Sequence, residues 1–230
     1  MFLNNKKILA IIPARGGSKR LPKKNILHFC GKPLISWTIE ETQKSKYIDK
    51  IIVSSDDDDI LNVVKKYSIG SIKRDKSLSK DTSTTIDVVL DVINRQTEKY
   101  DYILLLQPTS PLRTVNDINN ACELLVQKEA YSIISMCETE HPIQWCTKLD
   151  KYNCLDNFIQ NINTQRSQEQ EVHYRLNGAI YLIKIDEFTR EKSFFSNTKS
   201  YAYIMDKQSS IDIDDKFDFN LAEYIKNIKK

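Results

Sequence analysis

The chain has 230 residues, of which 40% are hydrophobic and 28% charged, with five glycines and a formal net charge of +3. That length suits a single α/β domain with a substantial core, and so apolar a chain with so few glycines is not a disordered one. The excess positive charge gathers in one loop rather than along a helix or a face, which argues against a nucleic-acid binder, and no stretch approaches the length of a membrane span. Residues 1–7 are polar, and the apolar run after them, ending at Pro13, is too short for a secretory leader. The five cysteines (Cys30, Cys122, Cys137, Cys146 and Cys154) form no C-x-x-C pair. The expectation is therefore reduced thiols in a cytoplasmic protein, without a zinc site or a disulfide framework.

Ile8 to Pro13 is a short isoleucine-rich run and reads as a buried parallel strand. It opens abruptly into Ala14-Arg15-Gly16-Gly17-Ser18-Lys19-Arg20-Leu21-Pro22-Lys23-Lys24-Asn25, with five cations within ten residues. Two glycines at the exit of a strand let backbone N–H groups turn toward an anion, and ligands of α/β sheets gather at the carboxyl ends of strands. The turn is therefore a candidate polyphosphate site. It carries neither the G-x-x-x-x-G-K-[ST] spacing of a Walker loop nor the G-x-G-x-x-G of a dinucleotide fold.

A helix is expected from about Gly31-Lys32-Pro33 to Lys46, and a second buried strand over Ile51 to Ser54. The acidic run Asp56 to Asp59 reads as the start of a helix capped by Ser55 and Asp56, not as a metal site. Neighbouring residues on a helix point about 100° apart and would not face one ion together. Ser71 to Lys73 is a short strand ending at Arg74, and Asp81 to Thr84 cap the next helix. Tyr102 to Leu106 is a core strand that runs into Gln107-Pro108-Thr109-Ser110-Pro111-Leu112-Arg113-Thr114, where two prolines fix a rigid polar loop at a strand's carboxyl end.

A helix with Ile118, Ala121, Cys122 and Leu125 on its core face follows, then a strand from Tyr131 to Met136. From Glu138 to Arg175 the alternation of strand and helix breaks. A long irregular insertion of this kind, holding Trp145 and Phe158, is usually functional or an interface. The rhythm returns with the strand Asn177 to Leu182 and again over Tyr201 to Met205. Ser210-Ile211-Asp212-Ile213-Asp214 then leads into a last helix. Read as a strand, this segment puts Asp212 and Asp214 on one face, a pair suited to a divalent ion shared with substrate phosphates; the plainer alternative is helix capping by Asp214 and Asp215.

Three of these stretches together carry a resemblance. I-P-A-R-G-G-S-K-R-L-P-K-K-N, L-L-Q-P-T-S-P-L-R-T and the Ile211-Asp212-Ile213-Asp214 segment, with N-G-A-I-Y at 177–181, resemble the CMP-N-acetylneuraminic acid synthetase (acylneuraminate cytidylyltransferase) family, in that family's order and across most of the chain. The related CMP-Kdo synthetases also begin I-P-A-R but continue S-T-R-L-P-G-K-P-L, where this chain has Lys24-Asn25. The resemblance implies a Rossmann-like three-layer α/β nucleotidyltransferase fold, a single domain over 1–230, with a mostly parallel sheet. It implies a small antiparallel dimerisation arm over 138–175 and hence a homodimer. It also implies the reaction of CTP with a nine-carbon 2-keto sugar acid to give a CMP-sugar and pyrophosphate, with Mg²⁺ as cofactor and no nucleic-acid or membrane partner.

The residue roles that follow from it are these. Arg15, Gly16, Ser18, Lys19, Lys24, Asn25, Arg74 and Ser83 would bind the nucleotide, Arg15 and Lys24 on its phosphates. Asp212 and Asp214 would hold the metal, and an aspartate or a metal-held water would take the sugar's proton. Gln107, Thr109, Ser110, Arg166, Arg175 and Asn177 would meet the sugar. Two departures fall at the sugar end: Arg166-Ser167-Gln168 stands where two arginines or Pro-Arg precede the glutamine, and Gln144-Trp145 where some members carry lysine. N-acetylneuraminate is thus the first expectation for the sugar, and legionaminate or another nonulosonate the second. The rival classes are a non-catalytic sugar-nucleotide-binding subunit, against which both aspartates speak, and an RNA binder, which lacks its aromatic strand.

Overall fold

The computed structural model describes residues 6–79, 83–161 and 171–228. Expectations placed on Asp81, Thr82, Arg166, Ser167 and Gln168 lie outside them. The elements run β1 (Ile8–Pro13), β2 (His28–Phe29), β3 (Lys32–Pro33), α1 (Leu34–Gln43), β4 (Lys50–Ser55), α2 (Asp58–Val64), β5 (Gly70–Lys73) and α3 (Thr85–Asn94). They continue with β6 (Tyr102–Leu105), α4 (Val115–Gln127), β7 (Ser132–Glu138), α5 (Asp156–Asn161), β8 (Tyr174–Lys184), α6 (Ile185–Glu191), β9 (Ser200–Ile204) and α7 (Lys216–Ile228).

Among the described residues, seven strands form one sheet in the order β5-β4-β1-β6-β8-β7-β9, in which β8 alone runs against its neighbours. β1 lies between β4 and β6, so the chain departs to opposite sides of it, and its carboxyl end is the place where such a sheet opens a crevice. Side-chain alternation along β1 divides the core. Ile8, Ala10 and Ile12 pack with Ile35 and Ile39 of α1, Ile60 and Val64 of α2, and Ile118 and Leu125 of α4. Leu9 and Ile11 face the other way, onto Val89 and Val92 of α3 and Phe188 of α6. Every apolar residue of β1 from Ile8 to Ile12 is fully buried. At about 1.5–3 kcal/mol for each large aliphatic side chain, this strand anchors the turn that follows it. A third cluster seats Phe219, Ala222 and Ile225 of α7 on Leu21, Phe29 and Leu34, tying the last helix to the far side of the basic loop.

Several expected boundaries move for local reasons. Residues 28–33, read as an approach to a helix, make the antiparallel hairpin β2–β3 around Cys30 and Gly31, whose φ values of 47° and 90° are those of a primed turn. Asp57, not Ser55 and Asp56, caps α2: its Oδ1 accepts the N–H groups of Asp59 and Ile60. The segment 210–214 is not a strand but the end of a turn followed by a loop held by the Ile213 N–H on the Thr109 carbonyl at 2.8 Å. The arm expected over 138–175 is antiparallel at its base, where Cys137 and Glu138 pair with Arg175 and Tyr174. Among the described residues beyond that, it has a 3-10 turn over Ile143–Trp145 and α5, and no further strand.

Candidate active site

A cavity of about 570 Å³ opens at the carboxyl ends of β1, β5 and β6. Its floor is the basic turn. Asn25, almost fully buried, donates through Nδ2 to the Arg15 carbonyl at 2.9 Å and so clamps the turn across its width. Lys23 takes a left-handed conformation (φ 54°) that starts the short 3-10 turn Lys24–Ile26 and sends Lys24 inward. The Lys24 Nζ donates to the Ile213 carbonyl at 2.6 Å and lies 3.5 Å from Asp214 Oδ1. Arg20 reaches the other oxygen of Asp214 at 2.9 Å.

Arg74 leaves β5 and lines a side wall, with Ser79, Ser83 and Thr84 beyond it. Its Nε donates to Ser79 Oγ at 3.0 Å and its Nη2 lies 3.6 Å from Asp56. Burial draws the Arg74 guanidinium below the usual arginine range, the Asp56 carboxylate opposes this, and the like charge of Arg15 adds to it. Thr84 caps α3 in a capping box with Asp87, and Thr84 and Thr85 at that helix's N-terminus line the cavity.

The double-proline loop forms the third wall. Arg113, buried to 1% exposure, fastens it from behind. Its Nη1 donates to the Ala179 carbonyl at 2.8 Å and the Gln107 carbonyl at 3.3 Å, and its Nη2 to Thr38 Oγ1 at 2.9 Å. Burial pushes its pKa down to about 10, and Asp117 and Glu41 counter this, so it stays charged at neutral pH. Gly178 is needed on β8 because its φ of +73° is one that L side chains rarely adopt, and a Cβ there would also crowd Gln107 Oε1 at 3.0 Å.

Asp212 and Asp214 face this space from the loop before α7, with Ile213 buried between them. Capping falls to their neighbours: Asp215 accepts from the Phe217 and Asp218 N–H groups, and Asp218 accepts from those of Asp214 and Asp215. Asp212 Oδ1 is buried with no hydrogen-bond partner. Burial raises its carboxyl above the usual carboxylate range; Asp214 adds to the rise, while the Thr109 hydroxyl and Lys24 act against it.

Of the residues expected here, Arg15, Ser18, Lys19, Lys24, Asn25, Arg74, Ser83, Gln107, Thr109, Asp212 and Asp214 line one cavity. Others stand apart. Gly16 turns its N–H to Asp56 Oδ1 at 3.2 Å, and its missing Cβ makes room for the Asp57 side chain, since that atom would lie 2.3 Å from Asp57 Oδ2. Ser110 is fully buried behind the loop. Asn177 is also buried: its amide donates to Ser210 Oγ at 2.9 Å and accepts from Ser135 Oγ at 2.6 Å and the Ala179 N–H at 3.2 Å. Arg175 is half exposed and pairs with Glu140 at 2.9 Å, outside the cavity lining. Arg20, of the same basic run but not among the residues expected at the site, also lines the cavity and pairs with Asp214.

The family profile described as cytidylyltransferase matches residues 9–229. Among curated proteins, the chain is 36% identical over 224 residues to an N-acylneuraminate cytidylyltransferase of Escherichia coli, covering 97% of this chain but 53% of that one, so it spans about half that relative's length. It is 34% identical to a pseudaminic acid cytidylyltransferase of Campylobacter jejuni over 95% of this chain and 96% of the other. It is 33% identical to the CMP-N,N'-diacetyllegionaminic acid synthase of Legionella pneumophila, over 97% and 98%. Among solved structures, CMP:2-keto-3-deoxy-manno-octonic acid synthetase complexed with CTP matches with a TM-score of 0.75 at 15% identity, over 98% of this chain and all of that one. The 4-diphosphocytidyl-2C-methyl-D-erythritol synthase of Anaerococcus prevotii matches with a TM-score of 0.68 at 15% identity, over 100% and 99%. These two carry the fold.

Proposed function

Because the chain belongs to the cytidylyltransferase family, we propose that it joins CTP to a nine-carbon 2-keto sugar acid, N-acetylneuraminate or a related nonulosonate, releasing pyrophosphate. The observation that carries this reading is the cavity itself. A clamped cationic turn and two carboxylates, with Asp214 paired to Arg20 and Lys24, line one cavity of about 570 Å³ at the carboxyl edge of the sheet. The curated relatives act on acylneuraminate, pseudaminate and diacetyllegionaminate, which frames the sugar class.

In this reaction the sugar's anomeric oxygen bonds to the α-phosphorus while the bond from that phosphorus to the bridging oxygen of the β-phosphate breaks. The hydroxyl proton leaves to a base, and pyrophosphate carries off the electron pair. Arg15, Lys19 and Lys24 would lie along the phosphates, and Arg74, Asn25 and Ser83 along the ribose and base. Catalysis is then chiefly positioning and charge neutralisation. Gln107 and Thr109 stand where nucleotide and sugar would meet. Arg175, at the start of β8 and outside the cavity lining, would have to leave Glu140 to reach the sugar carboxylate, which a guanidinium fork can grip with two hydrogen bonds. Asn177 and Ser110 would act by bracing this wall.

The chain's own residues also fit a divalent cation such as Mg²⁺. Hard cations take oxygen ligands, often one or two carboxylates plus substrate phosphates, and the orphaned Asp212 oxygen beside Asp214 offers that set. Among the described residues no group of three or more His, Cys, Asp or Glu side chains could hold a metal ion. Such an ion would neutralise the triphosphate and the departing pyrophosphate. Lys24 and Arg20, now paired with Asp214, would turn to the phosphates when the nucleotide enters.

Pyrophosphate release with CTP, UTP, ATP and GTP against a panel of nonulosonic acids and Kdo tests the reading. The expected result is turnover with CTP and a nonulosonate; equal rates with a purine triphosphate would sink it.

A further inference from the structure

The acidic run 56–59 stays unexplained if it only opens α2. Three of its carboxylates have local tasks: Asp57 caps the helix, Asp58 pairs with Lys73 at 2.7 Å, and Asp59 pairs with Lys23 at 3.1 Å. Asp56 differs from them. Its side chain is only 20% exposed, and its Oδ1 lies 3.2 Å from the Gly16 N–H and 3.6 Å from Arg74 Nη2. Arg74 has a side chain just 4% exposed and lines the cavity. Of its neighbours, Ser79 supplies a neutral acceptor and Asp56 an ion-pair partner. A guanidinium this deeply buried keeps its direction only if its surroundings fix it, and one carboxylate oxygen here touches both it and the basic turn.

We propose that Asp56 is a positioning residue for the nucleotide. Its carboxylate aims the Arg74 guanidinium into the cavity and ties it to the turn after β1, so that the two walls facing the nucleotide hold one fixed spacing. The proposal rests on the reading that this cavity takes CTP. It also gives the Gly16 N–H a use other than binding phosphate: that group is the turn's end of the tie. A purely structural Asp56 would only need to accept this N–H, and an asparagine can do so from the same place without charge. The two roles therefore separate on one substitution.

The experiment measures CTP affinity by titration calorimetry, with melting temperature and the KM of the sugar acid alongside, for wild type, Asp56→Asn, Arg74→Gln and the double variant. Asp56→Asn should melt close to wild type and leave the sugar KM unchanged, yet raise the CTP Kd about tenfold, the scale of one well-aimed charge-assisted contact. In the Arg74→Gln background the same substitution should change the CTP Kd by less than about twofold, because the two act as a unit. Unchanged CTP affinity in folded Asp56→Asn, or effects that multiply in the double variant, would overturn the proposal. If Asp56→Asn does not fold, Asp56→Glu carries the test. Displacing the charge by one methylene should raise the CTP Kd about fivefold with the sugar KM unmoved, and an unchanged Kd would again overturn it. Wild-type protein that fails to bind CTP would instead contradict the function reading, which keeps the two failures distinct.

Discussion

Asp212 carries the most chemistry of any single side chain here, and its surroundings say what removing its charge would do. The carboxyl is largely buried, one oxygen has no partner, and burial raises its proton affinity with Asp214 adding to the effect. The stability tied to a raised folded-state pKa is fully present below the unfolded value of about 3.9 and is lost as pH climbs through the folded value. Without metal, the charged form of Asp212 is therefore the costly one to bury. Asp212→Asn should raise the melting temperature in chelator at neutral pH by about 2–4 °C for each kcal/mol recovered, and the gain should shrink as pH falls toward 4. The same variant should lose roughly a hundredfold or more in turnover with Mg²⁺. A variant both less stable and fully active would show that Asp212 serves the fold rather than the reaction. The pairing of Asp212 with Asp214 was legible from their spacing. That Asp214 is already held by Arg20 and Lys24 was not, because those partners come from loops about 190 residues apart in the chain.

At the scale of elements, the turn after β1 and the start of α2 form one device. Gly16 is a glycine because the Asp57 cap occupies the space of its Cβ, whereas nothing lies within 4 Å of a Cβ at Gly17. Gly16→Ala should push Asp57 off its helix and cost about 1–2 kcal/mol, the usual loss of an N-cap. Gly17→Ala should stay within about 0.5 kcal/mol of wild type. Denaturant melts of the two would settle the contrast, and equal losses would contradict it. Both glycines look alike in sequence, since close approach of a distant side chain leaves no local signal. The strands β1, β4 and β6 were readable because buried parallel strands are continuous apolar runs. The hairpin at 28–33 was not, because Cys30-Gly31 lacks the usual Asn-Gly signature of a primed turn. Over 210–214 the alternation holds without a strand: Asp212 and Asp214 share the cavity side and Ile213 is buried, while the segment is held by bonds to Thr109 and Lys24 rather than by a neighbouring strand.

For the molecule as a whole, the sheet order puts every cavity wall at one edge, and the arm leaves that body on the β7–β8 pair. Ile143, Trp145, Leu149, Tyr152, Ile159 and Val172 are all exposed in this region, with Tyr152 at 76%. So much apolar surface on one segment is characteristic of an interface. Light scattering at low micromolar concentration should therefore give twice the 26.8 kDa of one chain. A fully active monomer would contradict the dimer. No helix among the described residues is long and apolar enough to cross a membrane. The central claim, transfer of the cytidylyl group to the sugar acid in this cavity, is tested most directly by following CTP labelled at the α-phosphate together with a nonulosonic acid. The account predicts that the label moves into a CMP-sugar in step with unlabelled pyrophosphate, and that Asp212→Asn slows both together. Label left in free CMP, with no sugar product from any acid in the panel, would contradict it.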